Sequence, residues 1–393
     1  MTAHRPFNAA RFALAIALFN VPLNAPAAVA DDAGNFVVRL GQDTTAVEHY
    51  TRSATRVEVD QVGRAPRVLR RHITYDYAQG ALTKLSVVVT PPGAEAPTQT
   101  VEVTPGADSL RMQTRNGNGA PTSTSVAMMP GMLVVPGSSP WSGYEAVLMG
   151  FVKSQADSLR TTMYLLGAGN TDWLSLHRLG PDSVSIFNGH QDQFHARVDK
   201  TGRLLGVLPI AGTGKVSVER VASLDVAALA ASFAAREQSG GGLGVLSPRD
   251  TVRAMAGGAA LWIDYGRPAK RGRVVYGGIV PYGEVWRTGA NAATQFKTDK
   301  ALDFGGTVVP AGFYTLWTIP GAAGWKLVVN SETGQWGTAH KAEKDLYTID
   351  MTVSPLPAVI ERFTIAIVPG ADGGTLDLDW DTTRASAAFT VKP

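Results

Sequence analysis

From residue 325 to the C-terminus, apolar side chains recur at every second position, and this pattern constrains the fold more than any other feature. Trp325, Leu327 and Val329 share one face of such a run. Tyr347, Ile349, Met351 and Val353 form the next, then Phe363, Ile365 and Ile367. Leu376, Leu378 and Trp380 follow, and Ala385, Ala387, Phe389 and Val391 close the series. A period of two puts alternate side chains on one face, as in strands buried on one side. Successive short runs with turn residues between them predict an antiparallel β-sandwich. Pro310-Ala-Gly-Phe-Tyr-Thr-Leu-Trp317 fits a turn entering a strand, because Pro fixes φ and Gly permits the bend.

The first half is also mainly β. Alternation predicts strands over 56–60, 68–77, 82–90, 98–104 and 109–114, with turns at Gln79-Gly80 and Asn116-Gly-Asn-Gly119. A helix follows. Ser138 or Ser139 is placed to cap it, Pro140 sits near its first position, and Tyr144, Val147, Leu148 and Phe151 form an apolar stripe. Strands resume over 161–166, 173–179, 183–188 and 204–209. Strands, one helix and more strands predict an antiparallel curved sheet with a packed helix. In element order alone this resembles the open half-barrels of periplasmic lipoprotein carriers. Such a sheet either holds an apolar ligand on its inner face or is filled by its own helix. A second helix signal covers 224–236, with Asp225 as cap and Val226, Leu229, Ala230 and Phe233 at helical spacing. Ser239-Gly-Gly-Gly-Leu-Gly244 then reads as a flexible joint. These signals divide the chain into a signal peptide at 1–30, a β-rich domain at 31–223, a helix and Gly-rich linker at 224–246, and a sandwich domain at 247–393.

The N-terminal thirty residues carry Arg5 and Arg11, the apolar run Phe12 to Phe19, and small residues at Ala28 and Ala30. That is the layout of a cleavable secretion signal, with cleavage expected after Ala30 and a periplasmic or extracellular product. The apolar run is too short to span a bilayer core. The sequence has no cysteine, so disulfides, thiolate metal sites and an N-terminal lipid-modified cysteine are excluded. Without Arg5 and Arg11, the 36 basic residues of the chain become 34, against 33 acidic ones. Near-neutrality gives no electrostatic reason to expect nucleic acid as a partner.

Four runs in the second half are more specific. They are Asp264-Tyr-Gly-Arg-Pro-Ala-Lys-Arg-Gly-Arg273, Gly278-Ile-Val-Pro-Tyr-Gly-Glu-Val-Trp-Arg-Thr-Gly-Ala-Asn291, Pro310-Ala-Gly-Phe-Tyr314 and Asn330-Ser-Glu-Thr-Gly-Gln-Trp-Gly337. In this order they resemble the bacterial domain-of-unknown-function family numbered 2911, over residues 247–393. The resemblance implies an exported bacterial protein and no established activity, so it transfers no catalytic residue. The first domain is outside it.

The run from Tyr282 to Asn291 concentrates aromatic, cationic and amide side chains between two glycines. Tyr, Trp and Arg contribute most binding energy at interfaces, and aromatic faces stack on sugars or cations. A binding reading has Arg287 gripping a polar or anionic group, Trp286 or Tyr282 stacking, and Asn291 hydrogen-bonding. Arg267 lies nearby, and Trp336 sits in a polar loop beside His340. The competing reading makes Trp286 core, pairs Arg287 with Asp264 or Glu284, and uses Asn291 to close a turn. The candidate ligand contacts are therefore Arg267, Tyr282, Trp286, Arg287, Asn291 and Trp336.

His190-Gln-Asp-Gln-Phe-His195 invites a metal reading, but on a strand His195 points away from His190 and Asp192, and a solvated hairpin is the simpler expectation. No metal or cofactor is implied. The serine elbow, P-loop, dinucleotide fingerprint and His-Glu-x-x-His motifs are missing from the sequence. Asp377, Asp379 and Asp381 read as the solvated face of a strand. The leading expectation is a non-catalytic, exported binding protein for a small molecule, lipid or envelope glycan. The alternatives are an envelope-directed hydrolase using Asp264, Glu284 and His340, and an assembly protein docking a partner through its sandwich.

Overall fold

The computed structural model describes residues 32–137, 140–167, 170–189 and 192–392. The signal segment, the caps expected at Ser138 or Ser139, and His190 lie outside the described residues. The protein is mainly β, built on two large sheets.

The first sheet begins with a meander of β1 (Asp32–Leu40), β2 (Asp43–Arg52), β3 (Arg56–Gly63), β4 (Leu69–Ala78), β5 (Ala81–Thr90), β6 (Gln99–Pro105), β7 (Ser109–Asn116) and β8 (Thr122–Ala127). Then come β9 (Leu133–Val135) and helix α1 (Trp141–Ser154). The return meander is β10 (Ser158–Leu165), β11 (Asn170–Gly180), β12 (Ser183–Asn188), β13 (Asp192–Val198), β14 (Leu204–Gly212) and β15 (Ser217–Val221). The meanders join where β1 pairs with β15, giving one sheet of 15 strands with β8 and β9 at its edges. Among the described residues its pairings are antiparallel except β9 with β10. The hairpins expected at Gln79-Gly80 and after Asn116 are present.

Helix α1 packs its apolar stripe, Trp141, Tyr144, Val147, Leu148 and Phe151, into a core shared with Phe36, Ile73, Leu85, Leu176 and Ile186 from across the sheet. The helix therefore fills the inner face. Trp141 meets Phe194 edge-on at 5.5 Å. Its N-terminus needs acceptors for unpaired N–H groups. No side chain from its own N-cap, Pro140, supplies one. The Glu48 carboxylate of β2 does, accepting from Ser142 N at 2.7 Å and Trp141 N at 3.1 Å.

One turn along, Glu145 of α1 is fully buried. It accepts from Arg52 Nη2 at 3.1 Å, from Leu204 N at 2.8 Å, and from Tyr50 Oη and Arg220 Nη2. Burial, and then the Glu145 charge, push the Tyr50 hydroxyl up to about 12, so it remains a donor. A charge this deep persists only when it is paired and hydrogen-bonded. This carboxylate ties the helix to β2, β14 and β15.

Helix α2 (Val226–Arg236) follows, capped by Asp225 accepting from Ala228 N at 2.9 Å. Its Ala230 and Phe233 pack on the opposite face of the sheet, with Val37, Val47, Val62 and Val68. The stretch expected to be a free Gly joint begins as a π-turn, Glu237–Gly241, and the Glu237 carboxylate accepts from Val68 N at 3.1 Å.

The second sheet comprises β16 (Arg249–Ala256), β17 (Ala259–Gly266), β18 (Thr294–Thr298), β19 (Leu302–Phe304), β20 (Thr307–Val309), β21 (Gly312–Ile319), β22 (Trp325–Asn330), β23 (Asp345–Pro369) and β24 (Gly373–Val391). Its order is β16-β17-β18-β21-β22-β23-β24-β19-β20. The runs read as separate strands after residue 345 are two long strands forming one hairpin. The hairpin bends where its register shifts between Pro355 and Thr364, so the sheet folds back over itself. Val353, expected on the buried face, pairs with Ala385 just before this bend and is 37% exposed. Asp377, expected in solvent, is buried and bonded to Ser386 and Arg384. The core includes a cluster of aromatic rings: Trp286 stacks on Trp380 at 5.9 Å, meets Phe363 at 5.0 Å, and neighbours Tyr276 and Trp325.

Replacing Glu145 by Ala strands Arg52 and Arg220 beside each other, and should cost about 3–5 kcal/mol in urea unfolding. Trp286→Ala should cost a similar amount, about 3–5 kcal/mol, by opening a cavity in the aromatic core. Glu48 makes a pH prediction. Burial raises its carboxyl from 4.5 to about 7, against the pull of the Ser142 and Trp141 amides. The folded state thus binds the proton more tightly than the unfolded chain. The stability gained is complete below 4.5 and lost as pH rises to about 7. Between pH 4.5 and 7 the wild type should lose on the order of 3 kcal/mol relative to Glu48→Gln, measured by urea midpoints of both proteins.

Candidate functional site

Between β17 and β18 the chain runs from Arg267 to Ala293 without a strand, held by isolated bridges and side-chain bonds. Arg267 spends its donors locally. Nε bonds Phe363 O at 3.1 Å, Nη1 bonds Asp250 at 2.9 Å, and Nη2 bonds Thr364 Oγ1 at 2.9 Å. Lys270 Nζ meets Asp381 at 2.5 Å. These contacts fix the start of the segment to β16 and to the β23–β24 hairpin, so Arg267 is a fastener of the loop.

The next residues reach the first sheet. Arg271 is buried, ion-paired to Asp43, and its carbonyl accepts from Gln42 N at 3.0 Å. Gly41 occupies the β1–β2 turn with φ near 63°, and any Cβ there would strike Arg271 O at 2.2 Å. Arg273 bonds two backbone carbonyls, Lys270 O at 3.0 Å and Ala269 O at 2.6 Å. Arg287 sends Nη2 to Gly212 O at the end of β14, 3.1 Å away. The expected alternative pairings of Arg287 with Asp264 or Glu284 do not form: Asp264 is held by Arg249 Nε at 3.1 Å, and Glu284 is exposed.

The remaining candidates separate into core and surface. Trp286 belongs to the aromatic core, with Nε1 donating to Gly289 O at 3.2 Å. Asn291 adopts φ near 62°, and its carbonyl accepts from Gly337 N at 2.9 Å. It makes a turn through its backbone, as αL conformations favour. That contact brings the Trp336 loop onto this segment, where Ala292 bridges Trp336. Gly337 lies so close that a Cβ would meet Arg287 Cδ at 2.3 Å and Asn291 O at 2.4 Å. Two candidates face solvent, Tyr282 at 48% and Trp336 at 39% exposure. His340 bonds Asp345 at 2.9 Å and packs against Trp317 at 4.8 Å. Asp264 and His340 thus have separate local partners.

The structure therefore brings Arg287, Asn291 and Trp336 together, adds Arg271 and Arg273 where the sheets meet, and sends Trp286 inward. No local pattern marks their partners from the first half, Gln42, Asp43 and Gly212. Burial lowers Arg287 to about 10, with Asp192 opposing. Burial, followed by the neighbouring Arg271, lowers Arg273 to about 10 as well. Both guanidinium groups remain cations at neutral pH, held in a poorly solvated seam. Among the described residues, no group of three or more His, Asp or Glu side chains is placed to hold a metal ion, and no helix is long and apolar enough to cross a membrane.

No curated protein matches the chain. Among solved structures, intact Ap-TbpB (N and C lobes) aligns with 8% identity over 88% of this chain, with a TM-score of 0.12. The chain covers 66% of that protein's length, just under two thirds. The binding domain of Botulinum neurotoxin DC in complex with rat synaptotagmin II aligns with 7% identity over 92% of this chain and 90% of that one, again with a TM-score of 0.12. At these scores neither structure bears on fold or activity. A family match does cover the segment just described: residues 247–389, the C-terminal part of the chain, match the family defined as a protein of unknown function (DUF2911).

Proposed function

We propose that this is an exported binding protein that holds a small molecule, lipid or envelope glycan without turning it over. The observation that carries the reading is the placement of Tyr282, Arg287 and Trp336. Exposed Trp336 belongs to the loop that Gly337 and Asn291 hold against Arg287, and exposed Tyr282 lies on the same segment as Arg287, its ring beside Gly277. Exposed Tyr and Trp on the loops that carry a partly desolvated Arg is the composition of a binding hot spot. Because α1 fills the inner face of the first sheet, the proposal puts the ligand on the loops of the second half. It also treats 31–223 and 247–393 as two domains joined through 224–246, with residues 1–30 removed on export.

Intact-mass measurement of protein recovered from a periplasm should give a chain beginning at Asp31; a product retaining residues 1–30 would overturn the export reading. Native mass spectrometry of the same sample should show added mass that disappears on denaturation. Tyr282→Ala and Trp336→Ala should each reduce the loaded fraction severalfold without changing the unfolding midpoint. A bare native mass, or full loading in both variants, would sink the assignment to these loops.

A further inference from the structure

We infer that a row of four side chains on the outer face of the second sheet, Arg253, Trp262, Lys297 and Phe313, binds an acidic glycan. Its sugar rings lie on the aromatic faces and its carboxylate or phosphate groups meet the two cations. The row is a different surface from the loops around Arg287, so the inference goes beyond the reading above.

The row follows from strand register. Arg253 of β16 pairs with Trp262 of β17, Trp262 with Lys297 of β18, and Lys297 with Phe313 of β21. Directly paired residues share a face. Cation and aromatic therefore alternate across four strands, over about 14 Å. The intervening Leu261, Ile263, Phe296 and Tyr314 fill the inner face, so the row points away from the core. The rings of Trp262 and Phe313 meet at 5.9 Å and form one apolar surface. Phe313 is 46% exposed, Trp262 is half-buried, and Arg253 and Lys297 are exposed.

A wall bounds the row. Gln295 and Thr315, two residues along β18 and β21 on the same face, are buried under the loop that follows β22. Gly334 N donates to Gln295 Oε1 at 2.9 Å, and Thr315 Oγ1 donates to Glu332 O at 2.7 Å. The loop that carries Trp336 thus stands beside the row and turns a flat face into a shelf.

The donors on this shelf are free. Among the described residues neither the Arg253 nor the Lys297 side chain forms a hydrogen bond or ion pair, and Trp262 Nε1 has no acceptor. The acids of the face are engaged. Asp264 is gripped by Arg249 Nε at 3.1 Å, and Asp299 accepts from Ala260 N at 2.7 Å beside exposed Lys300. Glu332 of the wall pairs with Lys341 at 2.6 Å. Four cations, Arg249, Arg253, Lys297 and Lys300, thus face two carboxylates, Asp264 and Asp299. Exposed aromatic surface marks an interaction site, and free cationic donors beside it select an anion. An acidic peptide is the poorer occupant: the row crosses strands whose backbone groups are taken by the ladder, which leaves nothing for strand addition. A bilayer is poorer too, because the wall stands beside the row and the half-buried Trp262 does not project far enough to insert. A glycan needs only ring faces, donors for its hydroxyl oxygens and charges, all of which the shelf offers.

The test is calorimetric titration of the full mature chain with tetragalacturonate, with a phosphorylated mannan oligosaccharide and with neutral maltotetraose, at matched ionic strength. Saturable binding of an acidic oligosaccharide is expected, at least tenfold tighter than maltotetraose, and the stronger of the two acids assigns the anionic group. Arg253→Met and Lys297→Met should each weaken it at least fivefold without moving the urea midpoint. Trp262→Ala should weaken it further. Lys200→Met, at an exposed lysine of the first half, should leave it unchanged. Tyr282→Ala should leave it unchanged as well, which separates this site from the loops around Arg287. Absence of saturable binding by both acidic oligosaccharides, or undiminished binding in Arg253→Met and Lys297→Met, would overturn the inference. So would a chain that ignores the oligosaccharides and instead sediments with phosphatidylglycerol vesicles through the same residues.

Discussion

The Glu145 carboxylate is the contact on which the first half depends. It is withdrawn from water and lies between two guanidinium groups, with a phenol and a backbone amide completing its shell. The donors come from β2, β14 and β15, the strands around the join of the two meanders. Apolar packing of α1 supplies most of the favourable free energy, since its stripe is almost wholly buried. Such packing is tolerant of small slides and rotations. A buried ion set is not, because any displacement leaves a charge unmatched in a medium of low polarity. The carboxylate therefore fixes the depth and rotation of the helix, and Glu48 fixes its N-terminal end.

The second half uses the same currency for a different purpose. Its segment from Arg267 to Ala293 has almost no regular structure, yet arginines anchor it at each stage: Arg267 to β16 and to the β23–β24 hairpin, Arg271 to the β1–β2 turn and Arg287 to the end of β14. Where an arginine finds carbonyls and carboxylates enough, it is structural. At Arg287 the match is incomplete: Nη2 holds the Gly212 carbonyl while the buried Nη1 has no acceptor.

Much of the fold could be read along the chain because it is local. Alternation placed most strands, the Asn116 turn gave its hairpin, and Asp225 marked the start of α2. The misses share a physical cause. The cap on α1 comes from a residue 93 positions earlier, and Arg271 meets an aspartate 228 positions away. Nothing in a local window encodes such partners. Asp377 carries the pattern of an exposed strand residue, but Arg384 and Ser386 make its burial affordable. At the site, residue type pointed to the right segment without sorting it. Trp286 and Tyr282 are equally aromatic, and only the packing of Trp380 and Phe363 around the former separates core from surface.

The pairing of β1 with β15 also has a kinetic consequence. Asn35 bonds the carbonyl of Ala222, 187 residues further along. The first strand of this sheet thus has one edge that stays open until the last strand of the sheet is made. Its neighbour β2 can pair early, but the central join, and the ion set beside it, must wait for the whole meander. Long-range closures of this kind slow folding and leave an adhesive edge exposed in the interval. The first half should therefore depend on being kept from premature contact with other chains, in a way the second half, whose β19 closes on the nearer β24, does not require.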